Sequence, residues 1–298
     1  MHFNSKKSMK KHKILNKNKA RVESMFSRNL RFDDIKSVYL DEFKISQEEE
    51  YQLRLKVVNE KERFVLDEIA KHHFVDLMDI EVNKFLMTLP NDAIVLDVGG
   101  GWGWHWRNLH NIRPDVVIVI VDFVANNLYH VSDFCSEKSL KNIFLINADA
   151  TSLPFIADSF DAYWSVQTLQ HIPDFSSVIY ESYRVLKQNG KFINYTLNGN
   201  LMKKIVYVLF FKKPQSSVYK RNLFYLSLAS PSQRNLISNV FNNRVVYYFS
   251  EHLFHPNLML TFKPYKSKFI AHIDLLLSRL KFFGRLFARQ QVYITYKK

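Results

Sequence analysis

Four of the seven glycines in this 298-residue chain, Gly99, Gly100, Gly101 and Gly103, fall within five positions just after Asp97 in the run VLDVGGGWGWHW. Glycine weakens strands and helices, so it concentrates where φ must be positive or where another group must approach the main chain closely. Upstream, Ala93 to Val98 reads as a short buried strand; downstream, Trp104 to His110 reads as the opening of a helix. A bare strand-to-helix turn of this kind suits a nucleotide-type ligand. The spacing excludes two common versions of it. Trp104 stands where a G-x-G-x-x-G dinucleotide fingerprint needs its third glycine, and no terminal Gly-Lys-Ser/Thr of a phosphate loop follows. Two more carboxylates, Asp122 and Asp149, follow later hydrophobic runs, and the segment VQTLQHIPD offers Gln167, Gln170 and His171. A histidine has a reference pKa of about 6.5, so His171 is a candidate for taking a proton from a hydroxyl.

The elements that position these groups follow from hydrophobic pattern. Val116 to Asp122, Ile143 to Ala148, Phe160 to Ser165 and Lys191 to Leu197 are near-continuous apolar runs separated by helix-length intervals. That rhythm predicts parallel strands buried on both faces, and hence a doubly wound α/β domain. Asp174 is placed to cap a helix running through Val178 to Leu186, and Gly190 to end it in the left-handed conformation. Ahead of the glycine turn, Ser46 and Glu49 have the spacing of a capping box, and apolar residues from Leu53 to Met78 recur as on two amphipathic helices ending before Pro90. Beyond Asn198, residues 231 to 241 read as helix, Arg244 to Phe249 as strand, Ser267 to Ala288 as a long helix with a broad apolar face, and Gln291 to Tyr296 as a last strand.

Asp97-x-Gly99-x-Gly101-x-Gly103, Asp122, NADATSLPF, FDAYWSVQTLQHIPD and YRVLKQNGKFINY, in this order, resemble the successive motifs of the class I S-adenosylmethionine-dependent methyltransferases. The resemblance implies a Rossmann-like, mostly parallel seven-stranded sheet with N-terminal helices and a helical C-terminal insert. It implies S-adenosyl-L-methionine as cofactor, held by Asp97, Gly99, Gly101, Trp102, Gly103, Asp122, Phe123, Asp149, Ala150 and Ser165. In that family the Asp122 position accepts from both ribose hydroxyls and the Asp149 position from the adenine amine. Trp102 is placed to cover the methionine end by a cation–π contact, whereas Trp104 and Trp106 are expected to pack the first helix on the sheet. His171 and Gln167 are the catalytic candidates, and no metal ligand set is expected. No Asn/Asp-Pro-Pro-aromatic tetrapeptide follows the fourth strand, so the chain looks like the small-molecule branch, similar to quinone methyltransferases. The implied division is a basic, mobile arm (1–37), helices forming part of an acceptor lid (38–90), the cofactor-binding core (91–198), and a basic aromatic insert with the last strands (199–298).

Charge separates these segments. Residues 1–37 carry 11 basic and 3 acidic side chains, 38–199 carry 14 and 23, and 200–298 carry 17 and 2. A partner drawn by positive charge should therefore meet the chain's ends. Lys203, Lys204, Lys212 and Lys213 flank the apolar run Ile205 to Phe211, and Lys268, Arg279, Lys281, Arg285 and Arg289 lie in or beside the long C-terminal helix. Both arrangements suit peripheral contact with an anionic membrane or a lipid-linked acceptor. The expected partner is thus a small, anionic, lipid- or glycan-linked acceptor. RNA is the first alternative, since basic residues interleaved with Tyr and Phe also stack bases and neutralise phosphates; a non-catalytic cofactor-binding module is the second. The single cysteine, Cys135, the absence of a signal-like apolar stretch near Met1 and the lack of a membrane-length run point to a cytoplasmic protein, peripheral at the inner membrane face.

Overall fold

The computed structural model describes residues 16–43, 48, 51–52, 55, 73–199, 226–252 and 264–298. Strands β3 (Ile94–Val98), β4 (Val117–Asp122), β5 (Ile143–Asn147), β6 (Phe160–Val166) and β7 (Leu186–Leu197) form the parallel centre of one sheet. β8 (Val246–Ser250) and β9 (Gln290–Tyr296) close one side, with β9 antiparallel to both β7 and β8. The full order is β1-β2-β5-β4-β3-β6-β7-β9-β8, nine strands rather than the seven expected. The additional pair is the hairpin of β1 (Arg31–Asp33) and β2 (Val38–Leu40), whose second strand runs parallel to β5. Three residues per strand are too few to show a period of two, which is why the sequence pattern does not announce them.

That hairpin corrects the reading of residues 1–37 as a mobile arm. From residue 16 onward the segment is docked. Helix α1 (16–23) buries Val22, Asn18 donates to Asn142 at 3.2 Å, and Arg28 forms a bidentate pair with buried Asp41. Residues 1–15 lie outside the described residues, as do Ser46, Glu49 and the run Ile205 to Phe211 with its flanking lysines.

Among the described residues, further helices are α2 (His73–Met87), α3 (Leu109–Ile112), α4 (Ala125–Glu137), α5 (Phe175–Val185), α6 (Pro231–Phe241), α7 (Pro264–Leu277) and α8 (Lys281–Phe287). The strands are apolar on both faces because both are covered. Leu96, Val98, Val119 and Val121 belong to one buried cluster; Val95, Ile118 and Ile120 belong to the other, with Phe85 and Leu86 of α2. Asp174 caps α5 as expected, its carboxylate accepting from the Ser177 N–H at 3.0 Å.

Three local expectations change. The helix after the glycine turn is a 3-10 turn, Trp104–Trp106, followed by the separate α3. The left-handed residue before the outer part of β7 is Asn189 (φ 63°), not Gly190, because α5 ends at Val185 and β7 begins at once. The single helix expected over Ser267 to Ala288 is broken into α7 and α8. Gly284 of α8 lies so close to the Phe249 ring that a Cβ there would sit 2.4 Å from it, so α8 is turned to seat on β8.

Strand order positions the site. The chain runs outward from β3 through β4 to β5, then returns to the other side of β3 as β6 and continues to β7. Ligands of open α/β sheets bind beyond the carboxyl ends of the strands at such a reversal. β3 ends there in the glycine turn.

Candidate functional site

The turn after β3 is built from positive φ: Gly99 (71°), Gly101 (54°) and Gly103 (68°). The Gly99 N–H donates to the Val121 carbonyl at 2.7 Å, which anchors the turn to the end of β4. The glycines differ in what they admit. A Cβ on Gly99 would lie 2.1 Å from the Thr168 side chain, and one on Gly103 2.8 Å from Val131. At Gly101 a Cβ would meet, among the described residues, only the Gly99 carbonyl, at 3.8 Å. The turn is therefore packed on the protein side at Gly99 and Gly103 and open at Gly101, a cradle in which a ligand can touch main chain. Gly100, which the spacing argument did not single out, also has a task. A Cβ there would lie 2.5 Å from the Asp97 carboxylate, so the missing side chain lets the turn fold over that acid.

Asp97 is almost fully buried, and its Oδ2 accepts from the Trp106 indole N–H at 2.7 Å. Burial pushes its pKa up to about 7; the Trp106 hydrogen bond opposes the rise and the nearby Asp122 adds to it. Trp106 thus packs as expected and also holds Asp97. Trp104 lies under the Arg107 guanidinium, 4.6 Å from it, and against Phe134, while Trp102 is half-buried between the glycines.

Asp122 and Asp149 stand at the ends of neighbouring strands. Asp122 is buried and accepts from the Val124 N–H at 2.9 Å and from Asn127 Nδ2 at 3.1 Å, fixing the start of α4. Phe123 beside it meets Tyr51 edge-on at 5.9 Å, which brings Tyr51 to this corner. Asp149 accepts from the Thr151 N–H and hydroxyl, both at 2.8 Å, and Ala150 is buried next to it. These three acids and the glycine turn occupy one edge of the sheet. Ser165 is different. It is fully buried and its hydroxyl donates to the Val98 carbonyl at 2.9 Å, so it ties β6 to β3.

On the β6 side, Gln170 is buried and structural: its Oε1 accepts from the Leu197 N–H at 2.7 Å. His171 follows, half-buried, with Nε2 3.3 Å from Gln170 Nε2. Gln167 has a left-handed backbone (φ 54°) and its Oε1 accepts from Arg289 at 3.0 Å. The same guanidinium pairs with Glu251 at 2.6 Å, which Gln290 also contacts at 3.0 Å. β8 runs parallel to β7, two antiparallel pairings away, so Glu251 stands at the same edge as Gln167. Among described non-glycine residues with left-handed backbone, Gln167 and Glu251 alone carry long side chains. Such strain persists where surrounding contacts over-determine it, and here one arginine holds both. Burial also raises the Glu251 pKa, with Arg289 opposing. Arg289 is therefore an internal clamp rather than one of the surface charges grouped with the C-terminal helix. Next to it, His252 Nδ1 and Asp274 Oδ1 lie 2.8 Å apart with both side chains fully buried. Sequence spacing could not find this cluster, since its members come from segments far apart in the chain. Among the described residues no group of three or more His, Cys, Asp or Glu side chains is arranged to hold a metal ion.

Residues 96–194 match the methyltransferase domain family. Over 129 residues the chain is 32% identical to a ubiquinone/menaquinone biosynthesis C-methyltransferase of Rickettsia typhi, covering 40% of this chain and 52% of that protein. It is 30% identical over 175 residues to a chloroplastic 2-methyl-6-phytyl-1,4-hydroquinone methyltransferase of Spinacia oleracea, covering 55% and 49%. The chain therefore spans about half the length of the curated relatives it matches. A solved structure from Thermotoga maritima, described as a methyltransferase and possible histamine N-methyltransferase, shares the fold. It superposes with a TM-score of 0.56 at 18% identity, over 83% of this chain and all of that one. The fold is thus the Rossmann-like methyltransferase architecture, and the resemblance read from the motifs falls where the domain match does.

Proposed function

We propose that this chain binds S-adenosyl-L-methionine along the edge formed by Gly99 to Gly103, Asp122 and Asp149, and transfers its methyl group to a small-molecule acceptor of quinone type. The carrying observation is the Gly101 cradle, with positive φ and open space at the Cβ position, set over a buried acid at the strand-order reversal. A compact sulfonium cation carries no phosphate, so main-chain approach and carboxylates suit it better than a lysine. When bound, the cofactor supplies an electrophilic methyl carbon. The chain's own residues do the rest. Asp122 offers two acceptor oxygens to the ribose diol, Phe123 and Tyr51 wall the same corner, and Asp149 with Ala150 receives the adenine. Asp97 supports the loop and the amino end, and Trp102 covers the methionine end. Gln167, fixed by Arg289, and His171 face the acceptor; His171 takes the proton when the attacking group is a hydroxyl. Alignment and desolvation supply most of the acceleration in an in-line displacement of this kind. Ser165 is left out of the binding set, because its hydroxyl is committed to Val98.

The identity of the acceptor draws support from the two quinone-ring relatives. A finer reading, that it is anionic and lipid- or glycan-linked and is met at the inner membrane face, rests on the C-terminal helices. Phe269, Leu276, Leu280 and Phe282 are each more than half exposed, with Lys268, Arg279, Lys281 and Arg285 exposed alongside. No described helix is long and apolar enough to cross a membrane. The test is calorimetric titration with S-adenosylmethionine and S-adenosylhomocysteine, followed by radiolabelled methyl transfer to hydroquinones and to total RNA. Binding of both nucleosides and labelling of a hydroquinone support the proposal; labelling of RNA alone, or absence of cofactor binding, overturns it.

A further inference from the structure

A cavity lies between α2, α7 and the strands β7, β8 and β9, lined along β7 from Lys191 to Tyr195. It has a volume of about 330 Å³, within the roughly 300–1,000 Å³ of small-molecule sites. Thr88 and Lys191 lie at one end of it. Lys191 precedes Leu197, the last residue of β7, by six positions, about 20 Å of strand at 3.3 Å per residue. That end is far from the glycine turn.

The cavity's chemistry is uneven. Its walls are Phe85, Ile193, Leu275, Leu276 and Ile294, and three cations line it: Lys84, Lys191 and Arg279. None of the three pairs with a carboxylate among the described residues. Lys191 is half-buried, and among the described residues its ammonium has only the Thr88 hydroxyl at 3.2 Å and the faces of Phe85 and Tyr296 at 5.7 and 5.9 Å. Burying a cation without a counter-charge is costly. Elsewhere this protein avoids it: Lys187 pairs with Asp161 at 2.8 Å and Lys297 with Asp158 at 2.9 Å. The cavity's own carboxylate, Glu81, does not compensate. It is buried and engaged by the Tyr248 and Ser250 hydroxyls at 3.0 and 3.3 Å, and burial pushes its pKa up to about 7.

We propose that this cavity binds an amphipathic anion, a carboxylate or phosphate on a medium-length alkyl chain. The head group meets Lys191 between Lys84 and Arg279, and the chain lies on Phe85, Ile193 and Leu275. The site is independent of methyl transfer, so cofactor binding and occupancy of this cavity can succeed or fail separately. The test titrates the full chain by calorimetry with decanoate and decyl phosphate, with decanol and acetate as controls. Saturable one-to-one binding of either anion is expected, the tighter one identifying the head group. Decanol and acetate should bind at least about tenfold more weakly, and Lys191→Met should cost about tenfold in affinity. The double variant Lys84→Met/Arg279→Met, on exposed positions, should weaken binding similarly while leaving the melting temperature unchanged, and covers the case in which Lys191→Met fails to fold. S-adenosylmethionine affinity should be unaltered in all variants. The proposal is overturned if neither anion saturates, if decanol binds as tightly as the anions, or if folded variants retain wild-type affinity.

Discussion

On the proposed function, the raised pKa of Asp97 predicts that cofactor binding is proton-linked. The acid titrates near 7 because it is buried, with the Trp106 indole N–H bonded to its carboxylate. It is therefore about one-tenth ionised at pH 6, half ionised at pH 7 and nine-tenths ionised at pH 8. A cationic ligand near it favours the ionised form. Affinity should rise about fivefold from pH 6 to 7 and about twofold more by pH 8, with release of about half a proton at pH 7. The perturbation is Asp97→Asn, which keeps an oxygen for Trp106 and removes the titration. Calorimetry in two buffers of different ionisation enthalpy, at three pH values, reads both affinity and protons. The cofactor's amino group titrates at the upper end of this range, at about 8, and the variant shows that contribution alone. The apo protein gives the opposite sign. A carboxyl whose pKa is higher folded than unfolded makes the native state hold the extra proton, so stability is fullest below about pH 4 and falls as pH rises toward 7. A rise from the ordinary 3.8 to about 7 corresponds to roughly 4 kcal/mol, so apo Asp97→Asn should melt above wild type at pH 8. A flat wild-type affinity from pH 6 to 8, or an equal slope in the variant, would refute the reasoning.

Asp122→Ala should cost about 1.5 to 3 kcal/mol of cofactor affinity, tenfold to hundredfold, by calorimetry on folded protein; unchanged affinity removes Asp122 from the site. Gly101→Val should abolish cofactor binding with circular dichroism largely preserved, because the positive φ strains a branched residue and its side chain fills the cradle. Arg289→Met should leave cofactor affinity within about twofold and lower kcat, since it frees Gln167 and uncovers buried Glu251 at the acceptor end; unchanged turnover would make the clamp purely structural. The protein should sediment with anionic but not neutral vesicles at low salt, at roughly 1 kcal/mol per basic residue near the surface. Changing Phe269 and Phe282 to serine should weaken this, and indifference to anionic vesicles would leave a soluble acceptor.

The parallel core was legible because its signals are local and redundant. Val117–Asp122 and Ile143–Asn147 are apolar up to their last residues, Asp122 and Asn147, and three of the turn's glycines take positive φ. Where one residue decides the outcome, the pattern misled. Gly190 looked like a left-handed stop, yet Asn189 takes that φ because asparagine tolerates it and the strand starts early. The break between α7 and α8 depends on Gly284 meeting Phe249, a contact between segments that no period encodes.

The site divides in the same way. Its proposed cofactor half is carried by residues at the ends of successive strands, so chain order alone lines up Asp97, Asp122 and Asp149. Its proposed acceptor half depends on Arg289, the residue just before β9, reaching Gln167 at the end of β6 and Glu251 at the end of β8. In the sequence Arg289 is one basic residue among many in a +15 segment, and Glu251 is one of only two acids there. That scarcity was the available signal. An acid retained in so basic a stretch, next to a strand end, had to be either exposed and screened or buried against a specific cation. The backbone strain at both clamped residues indicates that the arrangement is held at a cost. A held geometry at the end of β6, beside His171, is what an enzyme that works by alignment requires.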